Sequence, residues 1–178
     1  MWVERIGQPA RTPWSLAFDP EVLIILRGTL QASLPYEGCA LLLGSRQKWG
    51  WRVHTVWPCC NIWRPGMEAL PEPFVAAADV SPTPSRLNRF AIDPREQLHA
   101  QRWARDRRIE VIGSAHSHPQ GQAVPSSVDC GWIRNASLMV IQGADQDLRA
   151  WWLEPGDSLG VVTVEDTDCS ERHNRSAR

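Results

Sequence analysis

Residues 116–129 hold two imidazoles, a serine and a carboxylate at spacings that suit metal chemistry: His116, His118, Ser126 and Asp129. On an extended backbone, residues two apart point to the same face. His116 and His118 at a strand end can therefore present both rings to one point. The residues between His118 and Ser126 are enough for the chain to loop out and return, and Asp129 then falls in the first turn of a following helix. Zinc takes imidazole nitrogen at ~2.0–2.1 Å and carboxylate oxygen at ~2.0–2.2 Å, and three protein ligands leave a fourth tetrahedral position for water. That is the pattern of a catalytic zinc site rather than a structural one. Plainer readings exist for each piece. A His-x-His pair arises by chance, and Ser126-x-x-Asp129 also reads as a capping box, with Ser126 as N-cap and an acid at the third helical position. The capping and metal readings are compatible, because a capped helix start holds Asp129 in a fixed place.

The flanking elements must deliver these side chains. Ile109–His116 reads as a strand, and a helix is expected from about Ser126 to Arg134. Asp19-Pro20-Glu21 offers an N-cap, a proline at the first helical position and an acid in the first turn. The spacing of Val22, Leu23, Leu26 and Leu30 then predicts an amphipathic helix to about Ala32, ended by Pro35. Asp93-Pro94-Arg95-Glu96 opens a second helix by the same logic, running to about Arg108, whose basic end suits the helix dipole. Strands are expected at Ala40–Gly44, at Trp51–Trp57 with Val53 and Thr55 on one face, at Phe90–Ile92, and at Ser137–Gln142, Leu148–Leu153 and Leu159–Val164. The Pro-rich stretch Ile62–Asn88 is a long loop of the kind that is usually functional. Residues 166–178 read as a frayed, flexible tail. Interspersed helices and strands imply an α/β (α+β) class around one mixed central sheet, as a single domain over residues 1–165.

Composition narrows the function. The chain has 178 residues and a formal net charge of −1, so no global basic field draws in nucleic acid. Its longest strictly apolar runs, such as Val22–Leu26, fall far short of the ~20 residues of a membrane span, and no secretory leader is visible. A soluble, cytoplasmic protein is expected. The ten tryptophans, and a single lysine, Lys48, against many arginines, are spread along the chain and mark no site. The five cysteines are odd in number and irregular in spacing, so reduced thiols are expected. Cys59, Cys60 and Cys130 are read as packing residues. His54 and His99 lack ligand-spaced neighbours, and His173 lies in the expected tail.

His116-Ser117-His118-Pro119, then Ser126 and Asp129, resembles the JAMM (MPN+) metalloprotease signature H-x-H-P-x6-S-x2-D. Glu37-Gly38-Cys39-Ala40, ahead of Leu41-Leu42-Leu43-Gly44, fills the place of that family's upstream glutamate, with Ala40 where prokaryotic members often have glycine. Asn61 and Arg89-Phe90-Ala91-Ile92-Asp93-Pro94 also look like the bacterial branch. The resemblance implies an MPN-like domain with cytidine-deaminase-like layering, its mixed sheet flanked by helices. It implies one Zn2+ per chain with a bound water, ligated by His116, His118 and Asp129. Glu37 would serve as general base and acid, and Ser126 would donate to the oxyanion or orient the water. Prokaryotic relatives resemble hydrolases acting on small ubiquitin-like sulfur-carrier proteins that end in Gly-Gly. The implied substrate is an amide bond at such a tail, for example one whose hydrolysis releases cysteine. The resemblance implies no nucleic-acid or membrane partner and leaves a homodimer open. The extended tail is expected beside a sheet edge, with the Pro-rich loop as one wall of the groove. Two other readings compete with this one. A silent MPN scaffold would lose the ligands that this chain keeps, and a RadC-like DNA-associated module would carry H-N-H-P and a basic excess.

Overall fold

The structure is a computed structural model that describes residues 15–48, 50–67, 83–131, 133–155 and 158–166. In chain order the elements are β1 (Ser15–Phe18), α1 (Pro20–Gln31), β2 (Cys39–Arg46), β3 (Gly50–Cys59), α2 (Pro94–Asp106), β4 (Glu110–Ser117), α3 (Ser127–Gly131), β5 (Ser137–Gln142), β6 (Leu148–Glu154) and β7 (Ser158–Asp166). The expected α/β class, with one mixed central sheet, is present. The middle of the Pro-rich loop and the tail beyond Asp166, with Cys169 and His173, lie outside the described residues.

The helix starts follow from their caps. Pro94 takes the first position of α2, and the Asp93 carboxylate accepts the N–H of Arg95 at 2.8 Å. Asp19 precedes α1 in the same way but makes no cap bond with its side chain. It accepts instead from the Arg52 guanidinium at 2.5 Å, tying α1 to β3.

The mixed sheet also closes on itself, a feature that the expected flanked-sheet layering does not include. The strand order is β1-β3-β2-β4-β5-β6-β7, and β1 pairs in parallel with both β3 and β7, closing the sheet into a barrel. The short strand β1 was not legible in the sequence, and it is the element that joins the two ends of the sheet. Closure lets one face of every strand bury against a common interior. Leu16, Leu42, Val53, Ala115, Val140, Ala150 and Val162 meet there, with Leu26 and Leu30 of α1 packed among them. Each fully buried leucine of that helix contributes about 1.5–3 kcal/mol by leaving water. The alternate residues of β2, Leu41 and Leu43, face outward and are covered by Ala100 and Ala104 of α2. A second outer cluster, including Met139, Ile141 and Trp151, packs with Ala123 and with Cys130 of α3. One helix thus packs on the inner face and two lie on the outer face.

Two local expectations change. Leu43 pairs with Thr55 and Gly44 with Val53, so a bulge at His54 puts Val53 and Thr55 on opposite faces rather than the same one. A matching irregularity in β4 lies at Ile112. Phe90–Ile92 does not join the sheet; backbone and side-chain bonds to Asn61 and Ile62 hold it instead. No described helix is long and apolar enough to cross a membrane.

Candidate functional site

Neighbouring strands place the two histidines. His116 lies in β4, paired with Cys39 of β2 on one side and Ile141 of β5 on the other. His118 follows the strand end, and its backbone N–H donates to the Gln142 carbonyl at 2.8 Å. The chain then loops out and returns at Ser126, where the expected capping box forms. The Asp129 N–H donates to Ser126 Oγ at 3.2 Å, and the Ser126 N–H donates to Asp129 Oδ2 at 2.7 Å. The Ser126 hydroxyl also donates to Oδ2, at 2.7 Å. The helix is shorter than expected, ending at Gly131.

The capped carboxylate still has Oδ1 to spare, and it turns toward the histidines. His116 Nε2 stands 2.9 Å from His118 Nε2 and 3.4 Å from Asp129 Oδ1, and His118 Nε2 stands 3.6 Å from Asp129 Oδ2. Ligands at ~2.05 Å around a tetrahedral zinc lie ~3.3 Å apart, so the two edges that meet at His116 Nε2 suit such an ion, and one ligand atom from each of the three residues lies within 4.8 Å of the others. The tautomer fits as well. His118 Nδ1 lies 2.8 Å from the Gln122 carbonyl, which only accepts, so Nδ1 carries the proton and Nε2 presents its lone pair to the site. Burial opposes the charge on Asp129, but the two imidazoles and the Ser126 hydroxyl outweigh it and hold its carboxyl well below the usual range. Burial likewise works against the His118 cation, and the adjoining Asp129 carboxylate overrides it, raising the His118 pKa.

Glu37 enters from β2. Cys39 pairs with His116, and the register continues outward: the Ser117 N–H donates to the Gly38 carbonyl at 3.0 Å, and the Gly38 N–H donates to Ser117 Oγ at 2.8 Å. Continued by one more step, that register would set Glu37 against His118, and the charges of the two groups act on each other. Opposed residues of antiparallel strands share a face at ~4.5–5.5 Å. Gly38 is needed here, because a Cβ at that position would meet the Leu30 carbonyl oxygen of α1 at 2.5 Å. Glu37 is 5% exposed. Burial pushes its pKa up to about 7, with His118 and Arg89 pulling down and Asp129 pushing up. A carboxylate poised near neutrality can both take and return a proton.

The description of a family model, prokaryotic homologues of the JAB domain, matches residues 19–154, well over half the chain. The chain belongs to the prokaryotic JAB-domain family. A curated relative is 27% identical over 150 residues, covering 80% of this chain and 84% of its own; it is described as "Probable TtuB-protein conjugate cleaving protease" from Thermus thermophilus. Two solution structures share the fold. One, from Desulfitobacterium hafniense, has a TM-score of 0.68 at 23% identity over 89% of this chain and 97% of that one. The other, from Salinibacter ruber, has a TM-score of 0.56 at 22% identity over 86% and 92%.

Within this JAB domain, His116, His118 and Asp129 are the described residues that gather as a metal-holding group. Cys130 is not among them and packs against the Met139–Ile141 cluster. Burial pushes the Cys39 thiol up to about 12 and the Cys59 thiol to about 11, so both are protonated at neutral pH. Cys60 is exposed, against the expectation that it packs. His99 is exposed, and His54 is exposed with its Nε2 beside Ser45 Oγ. Sequence reasoning gave no role to the Ser117 hydroxyl or the Gln122 carbonyl, which brace Gly38 and His118. A backbone carbonyl leaves no trace in residue type, and Ser117 carried only its place between the two histidines.

Proposed function

We propose that this chain is a zinc-dependent peptidase or isopeptidase that hydrolyses an amide bond at the C-terminal Gly-Gly tail of a small ubiquitin-like sulfur-carrier protein, removing a conjugate or an extension. The observation that carries the reading is the gathering of His116 Nε2, His118 Nε2 and the Asp129 carboxylate at separations of 2.9–3.6 Å, together with the buried Glu37, whose charge is felt by His118 and Asp129. The name of the Thermus relative, a conjugate-cleaving protease, supports the substrate class.

His116, His118 and Asp129 would hold the ion. When bound, it supplies Lewis acidity toward a carbonyl and lowers the pKa of water to ~7. Glu37 takes a proton from the attacking water as the new C–O bond forms, and gives it to the amine nitrogen as the C–N bond breaks. Ser126 orients Asp129 through its hydroxyl and then donates that hydroxyl to the developing oxyanion; such a donor is worth ~10²-fold or more. Because β4 is flanked by β2 and β5, no open edge lies beside His116 for the tail to join. The stems of the Pro-rich loop offer the backbone groups instead. Arg86 already places its carbonyl on the Glu37 N–H at 2.8 Å.

The test uses a carrier–amino acid conjugate with release read by mass. Glu37→Gln should retain about one zinc per chain and lose hydrolysis by several orders of magnitude. A zinc-free wild type would overturn the reading and leave a partner-binding scaffold. Full activity in the variant would remove Glu37 from the chemistry.

A further inference from the structure

The two histidines are braced differently. His118 gives its Nδ1 proton to the Gln122 carbonyl, the usual way a protein fixes a ligating ring. His116 is wholly buried, and its Nδ1 has no hydrogen-bond partner among the described residues. Its polar contacts are therefore all on Nε2, the nitrogen that faces the site, and no polar brace stands on the Nδ1 side of the ring. Its flat contact is with Phe90, stacked at a centroid distance of 4.3 Å and an interplanar angle of 20°.

Phe90 sits on a segment that forms no strand, so something else must hold it. That is Asn61. Its Nδ2 donates to the carbonyls of Glu37 at 3.0 Å and Arg89 at 2.9 Å. Its Oδ1 accepts from the N–H groups of Trp63 at 3.0 Å and Ala91 at 3.2 Å. One amide thereby uses its whole hydrogen-bonding capacity to join the backbone of Glu37 to both neighbours of Phe90. The β2–β4 register fixes the backbones of Glu37 and His116 but leaves the ring torsion of His116 open.

We propose that Asn61 and Phe90 act as one positioning unit: the Asn61 amide locks the Phe90 segment to the Glu37 backbone, and the Phe90 ring sets the plane of His116, so that the metal-holding nitrogen and the Glu37 carboxylate keep a fixed spacing. The proposal rests on the metal-dependent reading above. It assigns Phe90 a role in metal affinity that an apolar filler would not have.

Zinc affinity, measured by competition with a chromophoric chelator, separates the two ideas without reference to turnover. Phe90→Leu, which keeps apolar bulk but loses the flat face, should raise the zinc Kd roughly 10- to 100-fold, and Phe90→Tyr should restore it to within a few-fold. Asn61→Asp keeps the two acceptor bonds and loses the two donors. It should weaken zinc in the same direction and lower kcat on the conjugate with little change in KM. The double variant should be no worse than the weaker single, since one unit can be broken only once. Wild-type zinc affinity in Phe90→Leu, or effects that multiply in the double variant, would overturn the proposal while leaving the hydrolase reading intact. A wild type that binds no zinc would sink both.

Discussion

Glu37 carries opposed demands on one carboxyl. The proposed reaction needs it ionised, yet burial raises its pKa from the usual carboxylate range to about 7. The sign of the stability effect follows. A carboxyl whose folded pKa lies above its unfolded value holds its proton more tightly in the fold. Its contribution is full below the unfolded value and is lost as pH rises from about 4.5 to about 7. The shift corresponds to about 3 kcal/mol. His118, with a raised pKa, also loses its contribution as pH rises, whereas Asp129, held low, loses its own only in acid. Metal-free wild type should therefore melt at a lower temperature at pH 8 than at pH 5. The slope isolates Glu37 when compared with Glu37→Gln, which should be the more stable protein at pH 8, by roughly 5–10 °C in Tm. Hydrolysis should run the other way and rise from pH 5 to pH 8 as Glu37 loses its proton. Equal melting curves for the two proteins would mean that Glu37 ionises without cost. At this scale the sequence was most informative where chemistry is local. The His116–His118 alternation and the Ser126–Asp129 cap both depend on neighbours within a few positions. The capping and metal readings of Asp129 are not rivals, because Oδ2 serves the cap while Oδ1 faces His116. Phe90 was read as strand, because its stacking partner is distant in the chain.

The start of β2 shows how an element sets the proposed base, Glu37. The Glu37 backbone is held next to the histidine strand because the chain approaches α1 closely at Gly38, and because Gly38 and Ser117 exchange two hydrogen bonds. Gly38→Ala places a Cβ 2.5 Å from the Leu30 carbonyl, a backbone atom that cannot swing aside. The helix end or the strand start must move. Overpacking of this kind costs about 1–3 kcal/mol, or roughly 2–10 °C in Tm for a chain of this size. Hydrolysis should fall further than stability does, because the displaced residue precedes Cys39 and carries Glu37 with it. Zinc content should hold, since no ligand lies on β2. A variant with wild-type turnover would show that the Gly38 approach is incidental. Elements with strong local signals were legible: both helices that open on Asp-Pro, and the strands from β2 to β7 within a few residues of their ends. The bulge at His54 was not, because a bulge reflects the partner strand and not the strand's own sequence.

The barrel as a whole decides where substrate can lie. With β1 joined to both β3 and β7, and β4 enclosed by β2 and β5, the sheet offers no free edge at the metal-holding side chains. Closure escaped the sequence for a physical reason: β1 is four residues long and takes both partners from remote parts of the chain. The stems of the Pro-rich loop, in contrast, converge on the site. Ile62 donates to the Ala91 carbonyl at 3.0 Å, Asn61 grips Glu37, and Arg86 accepts from Glu37 at 2.8 Å. Both described stems of the loop are therefore tied to the Glu37 backbone. Replacing residues 68–82 by a short Gly-Ser linker leaves both stems, all three metal-holding residues and Glu37 in place. Zinc content and the melting temperature should then stay near wild type, while KM for the carrier conjugate rises at least several-fold and kcat changes little. That split identifies lost substrate contacts, since a removed uniform binding contact raises KM alone. An unchanged KM would free the loop from substrate binding and leave the stems to hold the tail. A fall in kcat with KM constant would instead make the loop a brace for Glu37, acting through Arg86 and Asn61.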